Sequence, residues 1–315
     1  MNILYSYKNS NFLSQIFSSS LINWLFQSNL KFGLIALSIC TSPQLTNAQI
    51  VGSDCYAQGT SIEFGIAGLG GFEGADINLN PPPSGFHFRS NNPYFGFVSN
   101  PQLNAWATFD GDFFTPGAPE NGWGIEIIDG AVDINASNNC MGEFGIPGAI
   151  TGYTVDASCR VVTWEGDYIN GSYNLHIKLD YVLLTNDLFY STVVTIKNNG
   201  INIPEFYYYR NLDPDNNQSI SGTYDTQNTI VSQPGTGCNK AHVKATSNFP
   251  STQPLSYIGF AGIGNDFRVA HGGFANRDGS DIWNGAGFNS STNSSTFGDE
   301  AIAIAYKIQN LAPTT

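Results

Sequence analysis

Charge is what this 315-residue chain has least of: only 12% of its residues are Asp, Glu, Lys or Arg. Positive charge is the scarcer half, with 12 Lys+Arg against 25 Asp+Glu and a net charge of -13. Such a surface repels phosphate backbones and excludes nucleic acid as a partner. Four histidines are present, His87, His176, His242 and His271, and none falls in a His-Glu-x-x-His zinc motif or beside a serine elbow. No CxxC pair occurs, which argues against a structural zinc site. The apolar run Phe32–Cys40 is too short to span a membrane. No amphipathic pattern of three helical turns follows it, so the class is not helical.

What the chain does contain is glycine (34 residues) and aromatics (13%). Tyr173, Leu175, Ile177, Leu179 and Tyr181 alternate with Asn174, His176, Lys178 and Asp180, the period of a half-buried strand. Phe189–Lys197 reads as a second strand and Glu205–Arg210 as a third. Between them Asn198-Asn199-Gly200 is a hairpin signal, because Asn and Gly tolerate positive φ. Many such strands with turn punctuation predict an all-β fold, a large antiparallel two-sheet β-sandwich with long meander strands. The expected organisation is an export signal over 1–48, removed by cleavage, and a single domain over 49–315.

The export reading rests on Lys31, the apolar run behind it, and Thr46-Asn47-Ala48 with small residues at the cleavage positions. The expected location is therefore extracellular or at the cell surface. Leu37-Ser38-Ile39-Cys40 offers a lipoprotein alternative, against which bulky Ile39 counts. Four cysteines remain after cleavage, an even number in an exported chain, which suggests two disulfides. The shorter loop favours Cys140 with Cys159, leaving Cys55 with Cys238.

Two stretches carry candidate chemistry. Residues 104–127 hold Trp106, Trp123, Asp110 and Asp112 in a segment rich in Gly and Pro. They read either as a plug on the core or as a glycan platform, in which the Trp faces stack on sugar rings and the carboxylates take hydroxyls. Asp213-x-Asp215-x-Asn217 matches the opening of a calcium loop, although Gln218 stands where the sharp-turn Gly belongs and no Glu closes it. The rival reading is a turn built by Asp and Asn side chains. A catalytic set of His176, Glu205 and Arg210 can be assembled on paper, but nothing in their spacing requires it.

Phe109-Asp-Gly-Asp-Phe-Phe-Thr-Pro-Gly and Tyr207-Tyr-Tyr-Arg-Asn-Leu-Asp-Pro-Asp-Asn resemble segments of secreted proteins of Bacteroidota. There, similar N-terminal β modules precede sorting or gliding-motility-associated domains. The resemblance implies surface display and no catalytic residues, and it makes Ala312-Pro-Thr-Thr look like the head of a linker to a further domain. The expected function is a non-catalytic exported module for adhesion or glycan binding. The alternative is a carbohydrate-active enzyme, epimerase- or lyase-like, on an open sandwich.

Overall fold

The most regular alternation in the sequence, Tyr173–Leu184, is a strand of 12 residues in which every second side chain, from Tyr173 to Leu183, is buried. The computed structural model describes residues 2–5 and 48–315, apart from 87–92, 100–111, 119, 236, 248–254, 275–276 and 315. Residues 1–7 and 47–315 form one unit.

The unit is all-β, but its strands lie in four sheets, not two. Numbered along the chain, the largest sheet runs in space Gly148–Val155 (β10), Cys159–Asn170 (β11), Tyr173–Leu184 (β12), Ser191–Asn198 (β13), Asn2–Tyr5 (β1), Ser256–Ile263 (β17), Lys240–Ser247 (β16), Thr226–Ser232 (β15) and Ser295–Gly298 (β20). The second runs Phe288–Asn289 (β19), Phe267–Gly272 (β18), Ala301–Leu311 (β21), Ile203–Leu212 (β14), Asn121–Asp129 (β8) and Val132–Asn139 (β9). The third is Ala48–Val51 (β2), Asp54–Gln58 (β3), Ile62–Ile66 (β4) and Phe97–Ser99 (β7). The fourth pairs Ala75–Asp76 (β5) with Tyr94–Phe95 (β6). The two-sheet sandwich is therefore corrected to four unequal sheets in a four-bladed, propeller-like ring.

The physical reason lies at Asn198. The expected meander continues from β12 to β13, then breaks: β14 pairs with β8 and β21 in the second sheet, not with β13. The Asn198 amide ties the crossover down, donating to the carbonyls of Ile201 (2.7 Å) and Leu311 (2.8 Å) and accepting from Gly200 N–H (2.9 Å). A Cβ on Gly200 would lie 2.4 Å from the Ser172 carbonyl, so the glycine serves close approach here rather than a hairpin. β14 is buried on both faces from Phe206 to Leu212, as an interior strand covered on each side must be.

Three sheets contribute to one core, with Phe64 and Ile66 from the third, Trp123 and Phe206 from the second, and Trp164 and Tyr181 from the first. The fourth packs on a smaller cluster of Tyr56, Ala75, Ile77, Phe95 and Val98. Inside the large core sits a fully buried ion pair, Arg210 to Glu73. Tyr190 also donates to Glu73, as does the Asn121 amide at 3.0 Å. Such a pair stays charged in an apolar interior only when its remaining lone pairs are hydrogen-bonded in this way.

The expected disulfides do not form: Cys55, Cys140, Cys159 and Cys238 are free thiols. Cys140 follows β9 with its thiol on the Glu73 carbonyl, whereas Cys159 opens β11. Between them β10 runs over eight residues and pairs with β11, setting Val155 opposite Arg160. Cys55 is buried in β3, and burial pushes its thiol up to about 12. Cys238 sits in a tight turn with its sulfur 3.6 Å from the Lys240 carbonyl. No helix among the described residues is long and apolar enough to cross a membrane. Cys40 and most of the export segment lie outside the described residues.

Candidate functional site: an acidic floor under an aromatic rim

As β14 ends, the chain enters Asp213-Pro214-Asp215, and two backbone bonds fix its path. Asp213 N–H donates to the Glu120 carbonyl (2.7 Å) and Asp215 N–H to the Phe113 carbonyl (3.0 Å). Proline between the two aspartates removes a donor and locks φ, so the carboxylates are held rather than left to swing. Asp299, from the loop leading into β21, completes the group: Asp213, Asp215 and Asp299 each offer an oxygen within 4.8 Å of the others. It is the one cluster of this kind among the described residues.

Its electrostatics are unusual. Asp213 is only 8% exposed, and its Oδ1 has no hydrogen-bond partner among the described residues. Burial, then the nearby charges of Asp299 and Glu120, push its carboxyl up to about 8. Asp299 is also raised, by burial first and by Asp225 second. Like charges gathered without a cation repel one another, and a hard cation satisfies all of them at once with oxygen ligands.

The cluster floors a pocket of about 390 Å³ lined also by Gly117, Ala118, Glu120, Met141, Tyr224 and Phe274. Tyr224 is 39% exposed, Phe274 42% and Met141 55%, so an apolar rim faces solvent over an acidic base. Gly117 adopts φ +66°, and a Cβ there would meet the Tyr224 ring at 2.9 Å. Only glycine combines that backbone with that contact, and it lets the ring close on the pocket.

Of the metal set read from the sequence, Asp213 and Asp215 lie together in the cluster. Asn217 takes φ 65° before the short helix Gln218–Ser221, and its amide faces the Ser247 carbonyl at 3.4 Å. Asp299 takes the third place, and no local signal announces it, since it reaches the site only through the pairing of β21 with β14. Glu120 lay inside the aromatic stretch, but alternation there pointed to no pocket.

Two of the platform residues, Trp123 and Asp112, are placed otherwise than a platform requires. Trp123 is 1% exposed, stacked on Tyr208 at 5.8 Å, with its indole N–H donating to the Gly70 carbonyl (2.9 Å). Its ring is a core plug. Asp112 is buried and accepts the N–H groups of Gly96 (2.8 Å), Phe114 (2.9 Å) and Thr115 (3.1 Å). It builds the turn that supports the pocket wall. Trp106 and Asp110 lie outside the described residues.

The alternative catalytic trio occupies three separate networks. His176 lies on the outer face of β12 against Asp167 (3.0 Å) and Glu165 (3.6 Å). Glu205 is paired with Lys307 at 2.7 Å, and Arg210 is sealed in the core with Glu73. Comparison with protein families and with curated proteins returns no match for this chain.

Proposed function

We propose that this protein is a cation-dependent binding module for neutral glycans, acting at the cell surface. The observation that carries the reading is the buried, unpartnered Asp213 oxygen inside a carboxylate cluster that opens beneath exposed Tyr224 and Phe274. A divalent cation, calcium by its preference for oxygen ligands, sits on Asp213, Asp215 and Asp299 and keeps positions free for sugar hydroxyls. The C–H face of the sugar lies on the aromatic rim, as apolar surface favours. A net charge of -13 disfavours polyanionic glycans and selects neutral ones. The surface location rests on the leader read over 1–48 alone: the cysteines are free and give it no support, and β1 (Asn2–Tyr5), paired with β13 and β17, counts against removal of that segment.

The test is retention on immobilised neutral polysaccharides (a mannan, a galactan and a glucan) in calcium and in EDTA. The reading expects calcium-dependent retention on at least one of them. Tyr224→Ala should abolish it at an unchanged melting temperature, since the ring is exposed. Retention that ignores EDTA, or none on any matrix, overturns it.

A further inference from the structure

One histidine belongs to a constellation that the binding site does not use. His271, in β18, is fully buried, and both of its ring nitrogens are engaged. Nδ1 lies 2.8 Å from Glu300 Oε2, and Nε2 lies 3.2 Å from Ser294 Oγ. The order matters. A carboxylate can only accept, so it holds the ring proton on Nδ1 and leaves Nε2 as an acceptor aimed at the serine hydroxyl. That is the arrangement that activates a serine: nucleophile, base and orienting carboxylate in line.

The serine is held in place. Asn293 N–H donates to the Ile230 carbonyl (2.8 Å), and Ile230 N–H donates back to the Ser294 carbonyl (3.0 Å), so β15 clamps the loop on both sides. Asn293 itself takes φ 67°, a left-handed conformation that costs a non-glycine residue energy and turns the chain sharply just before Ser294. Gln233 anchors the other end of the loop, bonding the Ser290 carbonyl at 2.8 Å and Val269 N–H at 3.1 Å. Ser294 is half-buried, and Ser291, Thr292, Asn293 and Ser295 around it are exposed.

We propose that Ser294 is a nucleophile activated by His271, with Glu300 as positioning residue, and that it takes acyl groups from carboxylic esters. In the step, Ser294 Oγ bonds to the ester carbon as its proton passes to His271 Nε2. The ester C–O bond breaks, and the departing alkoxide receives that proton. No oxidant or metal enters. The N–H groups of Asn293 and Ser294 are bonded to Ile230 and Ser291, so neither is free to hold an oxyanion. Acylation is accordingly slower than in a complete esterase, by roughly 10²–10³ for each missing oxyanion donor.

The test uses a fluorophosphonate, whose phosphorus is attacked by an activated serine with loss of fluoride, on the folded and the heat-denatured full chain. The expected result is one adduct per folded chain, mapped to Ser294, none after denaturation, and none in Ser294→Ala. The exposed-serine control Ser291→Ala should label normally. Glu300→Gln should label at least ~10-fold more slowly at an unchanged melting temperature, and Glu300→Asp should recover part of the rate. Absence of folded-state labelling, an adduct on another serine, or Glu300→Gln labelling at the parent rate overturns the proposal.

Discussion

The buried charges of this protein divide into those with partners and those without. Arg210 and Glu73 satisfy each other in the core, so removing one strands the other. Arg210→Met should cost about 3–5 kcal/mol in urea unfolding, and Glu73→Gln added to it should recover part of that loss. Trp123→Ala removes a ring packed between Tyr208 and Trp164 and should cost a similar ~3–5 kcal/mol. Near-parent stability in that variant would contradict its place in the core. Glu126, at the foot of the short helix Gly279–Asn284, is pushed up to about 7 by burial first and by Asp278 second. Because its folded pKa lies above the unfolded one, its stabilising share is complete below about pH 4 and is lost as pH rises towards 7. Glu126→Gln keeps an acceptor for Ser280 N–H without the charge. It should flatten the fall in stability between pH 5 and 8 by on the order of 2 kcal/mol, and equal slopes in mutant and parent would refute the assignment. At this scale the sequence was partly legible. Asp213-x-Asp215 was readable because Asp-Pro-Asp can hold two carboxylates in one turn, whereas Asp299 has no neighbour that marks it.

Elements were easier to read than their partners. Period-two alternation located β12, since burying every second side chain is what a one-sided strand needs, and β-branched and aromatic composition located β13. The same rule says nothing about which strands share a sheet, and there the expected sandwich failed. Tyr207-Tyr208-Tyr209 held the missed clue: three consecutive large side chains cannot all face one core, so the strand had to be covered on both sides. The turns follow residue chemistry more closely. Gly171 joins β11 to β12 in a two-residue loop at φ +59°, with open space around its Cα. Gly171→Ala should therefore cost about 1–2 kcal/mol through backbone strain alone, leaving the denaturant slope unchanged. A neutral substitution would mean that the turn relaxes to another type.

Across the whole molecule, the four sheets bring together residues far apart in sequence at the two sites. The two-residue connection at 299–300, between β20 and β21, serves both, Asp299 at the acidic floor and Glu300 on His271. Neither site could be assembled from spacing, because each depends on β21 lying between β14 and β18. Of the two, the acidic floor bears the weight of the functional reading. Terbium luminescence tests it most directly, since Tb³⁺ takes the oxygen ligands of calcium and is excited only by an aromatic ring close by, here Tyr224. The account predicts saturable sensitised emission at one ion per chain, displaced by calcium, dimmed in Tyr224→Phe, and lost in Asp213→Asn at an unchanged fold. Emission that fails to saturate, or that persists undiminished in Asp213→Asn, would contradict it.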